Sequence, residues 1–241
     1  MLDSLLLLSG NDIPFKEGQV NIHQPTIKEI SLISEESFHI GCQFLIFSLD
    51  SLSEKDKISL GNKTDFEVFM SIMNSKEKIQ YCDDAILVLT LLFPSYEIKL
   101  TSNDILLAGP AGVGRINNFN FGAFKEIVSD MFELNDTADG KGYNPADAYA
   151  KKIADKLRKA QEKRAKAKGE DIGQVSIFSR YVSILAVGEQ KDINSLMNLT
   201  VPQLKNEFKR YQLKYQNDIY LRAKLAGAQD LEEVEDWMQN I

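Results

Sequence analysis

Apolar positions along the chain fall into runs of two periods, and these runs predict the elements. Ser4 to Leu8 and Gln19 to Gln24 read as short extended segments around the turn signals Gly10-Asn11-Asp12 and Glu17-Gly18, so a small sheet is predicted to begin here. Pro25-Thr26 opens a helix, because Glu29 stands three residues after Thr26 and completes a capping box beneath Ile27, Ile30 and Ile33. Helical spacing returns over residues 36–49 through Phe38, Cys42, Leu45 and Leu49. A third helix starts at Thr64, again with Glu67 three residues on, and shows Phe66, Phe69, Met70 and Met73 on one face. Ile79 to Phe93 is nearly all apolar, with Asp83 and Asp84 in its first turn and Pro94 as its stop, which predicts the buried helix of the N-terminal half.

Tyr96–Thr101, Asp104–Ala108 and Val113–Asn117 alternate in part and are broken by Ser102-Asn103 and by Gly109-Pro110-Ala111-Gly112, the pattern of a β-meander. An amphipathic helix over about Phe121 to Leu134 follows. Asn135 to Tyr143 carries Gly140 and Gly142 and no period, and reads as a linker. Beyond it the pattern is helical: Asn144-Pro145 as cap and N1 proline, a stretch from Val175 to Val187, a short helix capped by Asp192, a long one from Thr200-Val201-Pro202 to Gly227, and a last amphipathic segment from Asp230 to Met238. The expectation is an α+β fold, predominantly helical. An N-terminal domain (1–135) holds a small antiparallel sheet plus helices, a linker spans 136–143, and an all-α domain spans 144–241 with a basic helix at 145–168.

With 241 residues, 44% of them hydrophobic and 26% charged, the composition is that of a globular chain able to bury a large core. The net charge of −7 argues against a protein that coats nucleic acid with its whole surface. Nine Lys or Arg against two acidic residues between Lys151 and Lys168 concentrate positive charge on one helix. Without interleaved aromatics beyond Tyr149, that helix reads as solvated or as docking an acidic protein rather than as a nucleic-acid contact. The two cysteines, Cys42 and Cys82, sit in apolar segments and read as free buried thiols in a reducing, cytoplasmic compartment. Leu5 to Leu8 lacks the basic flank and length of a signal peptide, and no stretch approaches a membrane span.

Candidate chemistry is sparse. Gly109-Pro110-Ala111-Gly112-Val113-Gly114 lacks the Gly-Lys-Ser/Thr of a phosphate loop and reads as a strand turn. His39 and Cys42 share zinc-ligand spacing, but only His23 and Cys82 remain to complete a site, so a half-exposed His beside a core Cys is preferred. The pairs Asp83-Asp84 and Glu35-Glu36 are explained by helix first turns. No G-x-S-x-G elbow occurs and two histidines leave little choice of base, so no enzymatic role and no cofactor or metal are expected.

The strings Ile22-His23-Gln24-Pro25-Thr26-Ile27-Lys28-Glu29-Ile30, Glu35-Glu36-Ser37-Phe38, Lys63-Thr64-Asp65-Phe66-Glu67 and Leu91-Leu92-Phe93-Pro94 resemble the tail assembly chaperones of tailed bacteriophages infecting Gram-positive hosts. Tyr143-Asn144-Pro145-Ala146, the Lys-rich helix, Ile177 to Ala186, Ala223 to Ala228 and Glu232 to Met238 are similar to the same family's C-terminal region. The resemblance implies a non-enzymatic factor in the host cell cytoplasm that binds the tape measure protein, keeps it soluble and helps recruit the tail tube protein; self-association is compatible with it. The alternatives are a structural tail or baseplate protein that stays in the virion, and a nucleic-acid-binding protein using the basic helix. No family motif assigns a role to one side chain. The partner-binding candidates are therefore physical: the basic face of Lys152, Lys156, Lys159, Lys163 and Arg164, and the terminal segment around Trp237, each weighed against a merely solvated helix and a core-anchoring Trp.

Overall fold

The structure is a computed structural model that describes residues 2–49, 61–75, 80–110, 112–132, 134 and 176–228. The linker 136–143, the basic helix 145–168 and the segment 230–238 lie outside the described residues. Within them the fold class is as expected: two small antiparallel sheets in the N-terminal half, and helices only from residue 176 onward.

The first segment departs from expectation. Ser4–Ser9 is a helix (α1), not a strand. Its leucines do not alternate with polar residues, leucine is a strong helix former, and both ends are capped. The Asp3 side chain accepts from the Leu5 N–H, and Gly10 closes the helix at φ 69°. The strand that pairs with Val20–Ile22 (β2) is instead Ile13–Phe15 (β1), in the register Ile13 to Ile22 and Phe15 to Val20. Gln24 fastens α1 to this hairpin, donating from its buried amide to the Leu6 and Asn11 carbonyls.

Both predicted capping boxes form. Thr26 and Glu29 cap Ile27–Ile30 (α2), and Thr64 and Glu67 cap Asp65–Met73 (α4). Between them, Glu35–Leu45 (α3) stops four residues short of Leu49. The Ile46 and Phe47 amides still donate to the Cys42 and Phe44 carbonyls of the helix, but beyond them Asp65 intervenes: its Oδ1 accepts from the Leu49 N–H at 2.9 Å, and Lys125 bridges Asp65 to the Phe47 carbonyl. Gln80–Leu92 (α5) packs on α3 where Gly41 meets it, and a Cβ on Gly41 would lie 2.5 Å from the Asp84 carbonyl oxygen. Only one side of α5 is buried, through Cys82, Ala85, Val88, Leu89 and Leu92. Tyr81, Ile86 and Leu87 face outward, so its apolar run covers more surface than the core uses.

Glu97–Leu100 (β3), Asp104–Gly109 (β4) and Gly112–Asn117 (β5) form the predicted meander, with Gly109 opposite Gly112 at the second turn. Ile105, Leu107 and Ile116 are buried in the same core cluster as the inward residues of Phe121–Phe132 (α6). Phe124 of α6 lies at the centre of an aromatic cluster, with ring centroids 6.0 Å from Phe15, 6.1 Å from Phe93 and 6.2 Å from Phe121. Buried Asn120 holds the two sheets together by donating to the carbonyls of Glu17 and Arg115.

Three helices complete the described chain: Ile177–Gly188 (α7), Ile193–Met197 (α8) and Val201–Leu225 (α9). Their inward residues Phe178, Val182, Leu185, Leu196, Val201 and Leu204 belong to the same buried cluster as the N-terminal elements. Backbone contacts reinforce the junction. The Ile27 N–H donates to the Leu199 carbonyl at 2.9 Å, Thr26 and Thr200 form an isolated antiparallel bridge, and the Lys205 ammonium donates to the Phe132 carbonyl.

Candidate partner-docking groove

An apolar groove opens where α2 and the start of α3 face α7 and α8, with a volume of about 500 Å³. Ile27, Ile30, Phe178 and Val182 form its buried floor, and Ala186, Val187, Ile193 and Met197 line it from the α7–α8 side. Ser31, Ser34, Ser176, Ser179 and Ser183 supply a hydroxyl-rich rim. Val187 is 81% exposed and Ile193 57%, and Leu32, on the turn after α2, is 81% exposed. Large aliphatic side chains held this far into water around an apolar cleft mark a surface suited to covering by another apolar face.

Glu35 sets the groove's geometry. Its Oε1 accepts from the Ile177 N–H at 2.8 Å and its Oε2 from the Phe178 N–H at 3.4 Å, while Ser176 Oγ donates to Oε2. One carboxylate on the first turn of α3 thereby satisfies orphan amides at the start of α7 and places a negative charge at that helix's positive end. Ser176 in turn caps α7 by accepting from the Ser179 N–H at 2.9 Å. His39, one turn along α3, lies 3.4 Å from Glu35 Oε1 and 5.7 Å, centroid to centroid, from the Phe178 ring.

Cys42 and Cys82 are free and buried, and burial pushes the Cys42 thiol far above its ordinary range. His23 contacts Asp12 and Glu29, away from both cysteines. Burial favours the neutral Glu29 acid, but the Thr26 N–H and hydroxyl and the His23 ring outweigh it and hold the carboxyl below the usual range. Among the described residues no group of three or more His, Cys, Asp or Glu side chains is placed to hold a metal ion. A second cleft, of about 690 Å³, lies between α4 and the meander, and its carboxylates are Glu67 and Asp104. Glu67 is engaged in the Thr64 cap.

A family model matches the C-terminal part of the chain. It is the YomV second domain, over residues 172–241. That family is phage-associated. The YomV-like region contains α7, α8 and α9, and therefore one whole wall of the groove. No curated protein and no solved structure matches the chain.

The candidates read from sequence, Lys152, Lys156, Lys159, Lys163, Arg164 and Trp237, all lie outside the described residues. What that reading missed is the groove. Val187 and Ile193 stand at the end of one helix and the start of the next, off the stripes that identify a core face. Their exposure emerges only when α7 and α8 pack against α2. No helix among the described residues is long and apolar enough to cross a membrane.

Proposed function

We propose that the protein is a phage tail assembly chaperone, a non-enzymatic factor of the host cytoplasm that binds the tape measure protein, keeps it soluble and helps recruit tail tube subunits. The observation that carries this reading is the apolar groove, one wall of which lies in the region matched by a phage-associated family. A tape measure protein is a long helical chain whose apolar stripe aggregates until covered. A groove of aliphatic and aromatic floor with a hydroxyl rim accepts such a stripe as helix-in-groove recognition does, with anchors at one-turn spacing. The chain's net charge of −7 favours solubility of a crowded holding complex. The resemblance of the sequence strings described above supports the same role.

The test is co-expression with the tape measure protein from the same source, followed by affinity capture and size-exclusion chromatography. Co-elution of a soluble complex supports the proposal. Precipitation of the tape measure protein while this protein elutes alone overturns it, and the presence of the chain in purified particles would then favour a structural role in the tail or baseplate.

A further inference from the structure

Helix α9 outruns the body it packs on. Its stripe of Val201, Leu204, Phe208 and Tyr211 faces the fold: Phe208 stacks on Tyr181 with centroids 3.9 Å apart, and Tyr211 lies so close over Gly188 that a Cβ there would be 2.4 Å from its hydroxyl. The same stripe continues as Tyr215 and Ile219, and Leu221 and Leu225 run beside it, yet all four are exposed, Ile219 by 51% and Leu225 by 88%. The helix then ends in a full Schellman turn. Ala228 N–H donates to the Ala223 carbonyl and Gly227 N–H to the Lys224 carbonyl, with Gly227 at φ 85°, so the chain leaves the helix axis at this point.

We propose that this outer half of α9 is a docking face for the chain's own segment 230–241, which folds back across it from the Gly227 turn. Three observations favour this occupant. The first is charge: apart from Lys214, which Glu189 already pairs at 3.0 Å, the stretch to Leu225 holds Arg222 and Lys224 against Asp218, whereas residues 229–241 hold five acidic side chains and no basic one. The second is pattern and reach. Leu231, Val234, Trp237 and Met238 recur at helical spacing behind an Asp230 cap with Glu233 three residues on. As a helix, the twelve residues 230–241 would span about 18 Å, the same length as Lys214 to Leu225. The third is that the YomV second domain match spans residues 172–241, so the segment and α7 to α9 fall within one family unit. The inference is independent of the chaperone reading.

Trp237 is the chain's only tryptophan, so its fluorescence reports on this segment alone. In the 241-residue chain, the emission is expected to be blue-shifted relative to N-acetyltryptophanamide and shielded several-fold from acrylamide. Ile219→Asp and Leu225→Asp, both at exposed positions, should each return emission and quenching toward those of the free indole. Leu32→Asp, at an exposed position on the turn after α2, should leave both unchanged, and the thermal melt of each variant checks that the core is intact. Solvent-like emission in the parent protein overturns the proposal. So does a blue shift that ignores both α9 substitutions, which would place the segment elsewhere, or one that appears only as protein concentration rises, which would make the occupant a second copy.

Discussion

The Glu35 carboxylate and the Ile177 amide, 142 positions apart in sequence, meet at 2.8 Å, and that contact orients α7 against α3. Replacing Glu35 with Ala removes the acceptor for the Ile177 and Phe178 amides and for the Ser176 hydroxyl. A loss of about 1–2 kcal/mol is expected, the scale of a helix cap. Glu35→Gln keeps a carbonyl oxygen and should cost less. Urea unfolding of the two variants beside the parent measures the difference, and equal midpoints for Ala and parent would mean the cap contributes nothing.

Gly41 is the contact point of α3 and α5. A methyl group there would enter the space of the Asp84 carbonyl and the Val88 side chain, at 2.5 and 2.6 Å. Because the first of these atoms is backbone, relief requires the helices to separate. Gly41→Ala should destabilise by about 1–3 kcal/mol despite alanine's better helix propensity. Thermal melting decides which of the two effects wins.

The Asp65 carboxyl is tied to Lys125 and the Leu49 amide. Burial pushes its pKa up, but these partners and Ser48 outweigh it and hold the group below the ordinary aspartate value. Since the folded value is the depressed one, the stabilisation is complete above the unfolded pKa of ~3.9 and fades as pH falls through the folded pKa. The stability gap between parent and Asp65→Asn should therefore hold steady from pH 7 to about 5 and narrow only in stronger acid. A gap that closes between pH 7 and 5 would assign it to another group.

The groove reading separates binding from folding. Val187 and Ile193 are exposed, so the double substitution Val187→Asp, Ile193→Asp should change stability by no more than about 1 kcal/mol while abolishing capture of the tape measure protein. Pull-down and a melt on the same preparation give both readouts. Retained capture would move the partner to another face.

Much of the fold was legible because its signals are local. The Thr26–Glu29 and Thr64–Glu67 boxes, the Asp192 cap and the Gly109–Gly112 turn each lie within four residues of sequence, and each is formed. The errors arose where a local signal was ambiguous or a distant residue intervened. A short leucine run carries no period, and the caps Asp3 and Gly10 decide α1. Nothing near Leu49 announces that Asp65 takes its amide and ends the helix early. The groove was illegible for the same reason: its floor joins Ile27 and Ile30 to Phe178 and Val182, and Glu35, read as a first-turn carboxylate of its own helix, also caps a helix from the far end of the chain.

The pairing of Ile27 with Leu199 also has a consequence in time. On the ribosome, the amide of Ile27 emerges 172 residues before the carbonyl it will bond, an interval on the order of ten to thirty seconds at common rates of elongation. Throughout it, Ile27, Ile30 and Phe38 lack the cover that α7 and α8 later provide. The nascent chain must cross that interval with an open flank, and slower translation of the second half would lengthen its exposure to proteases and to its neighbours on the same message.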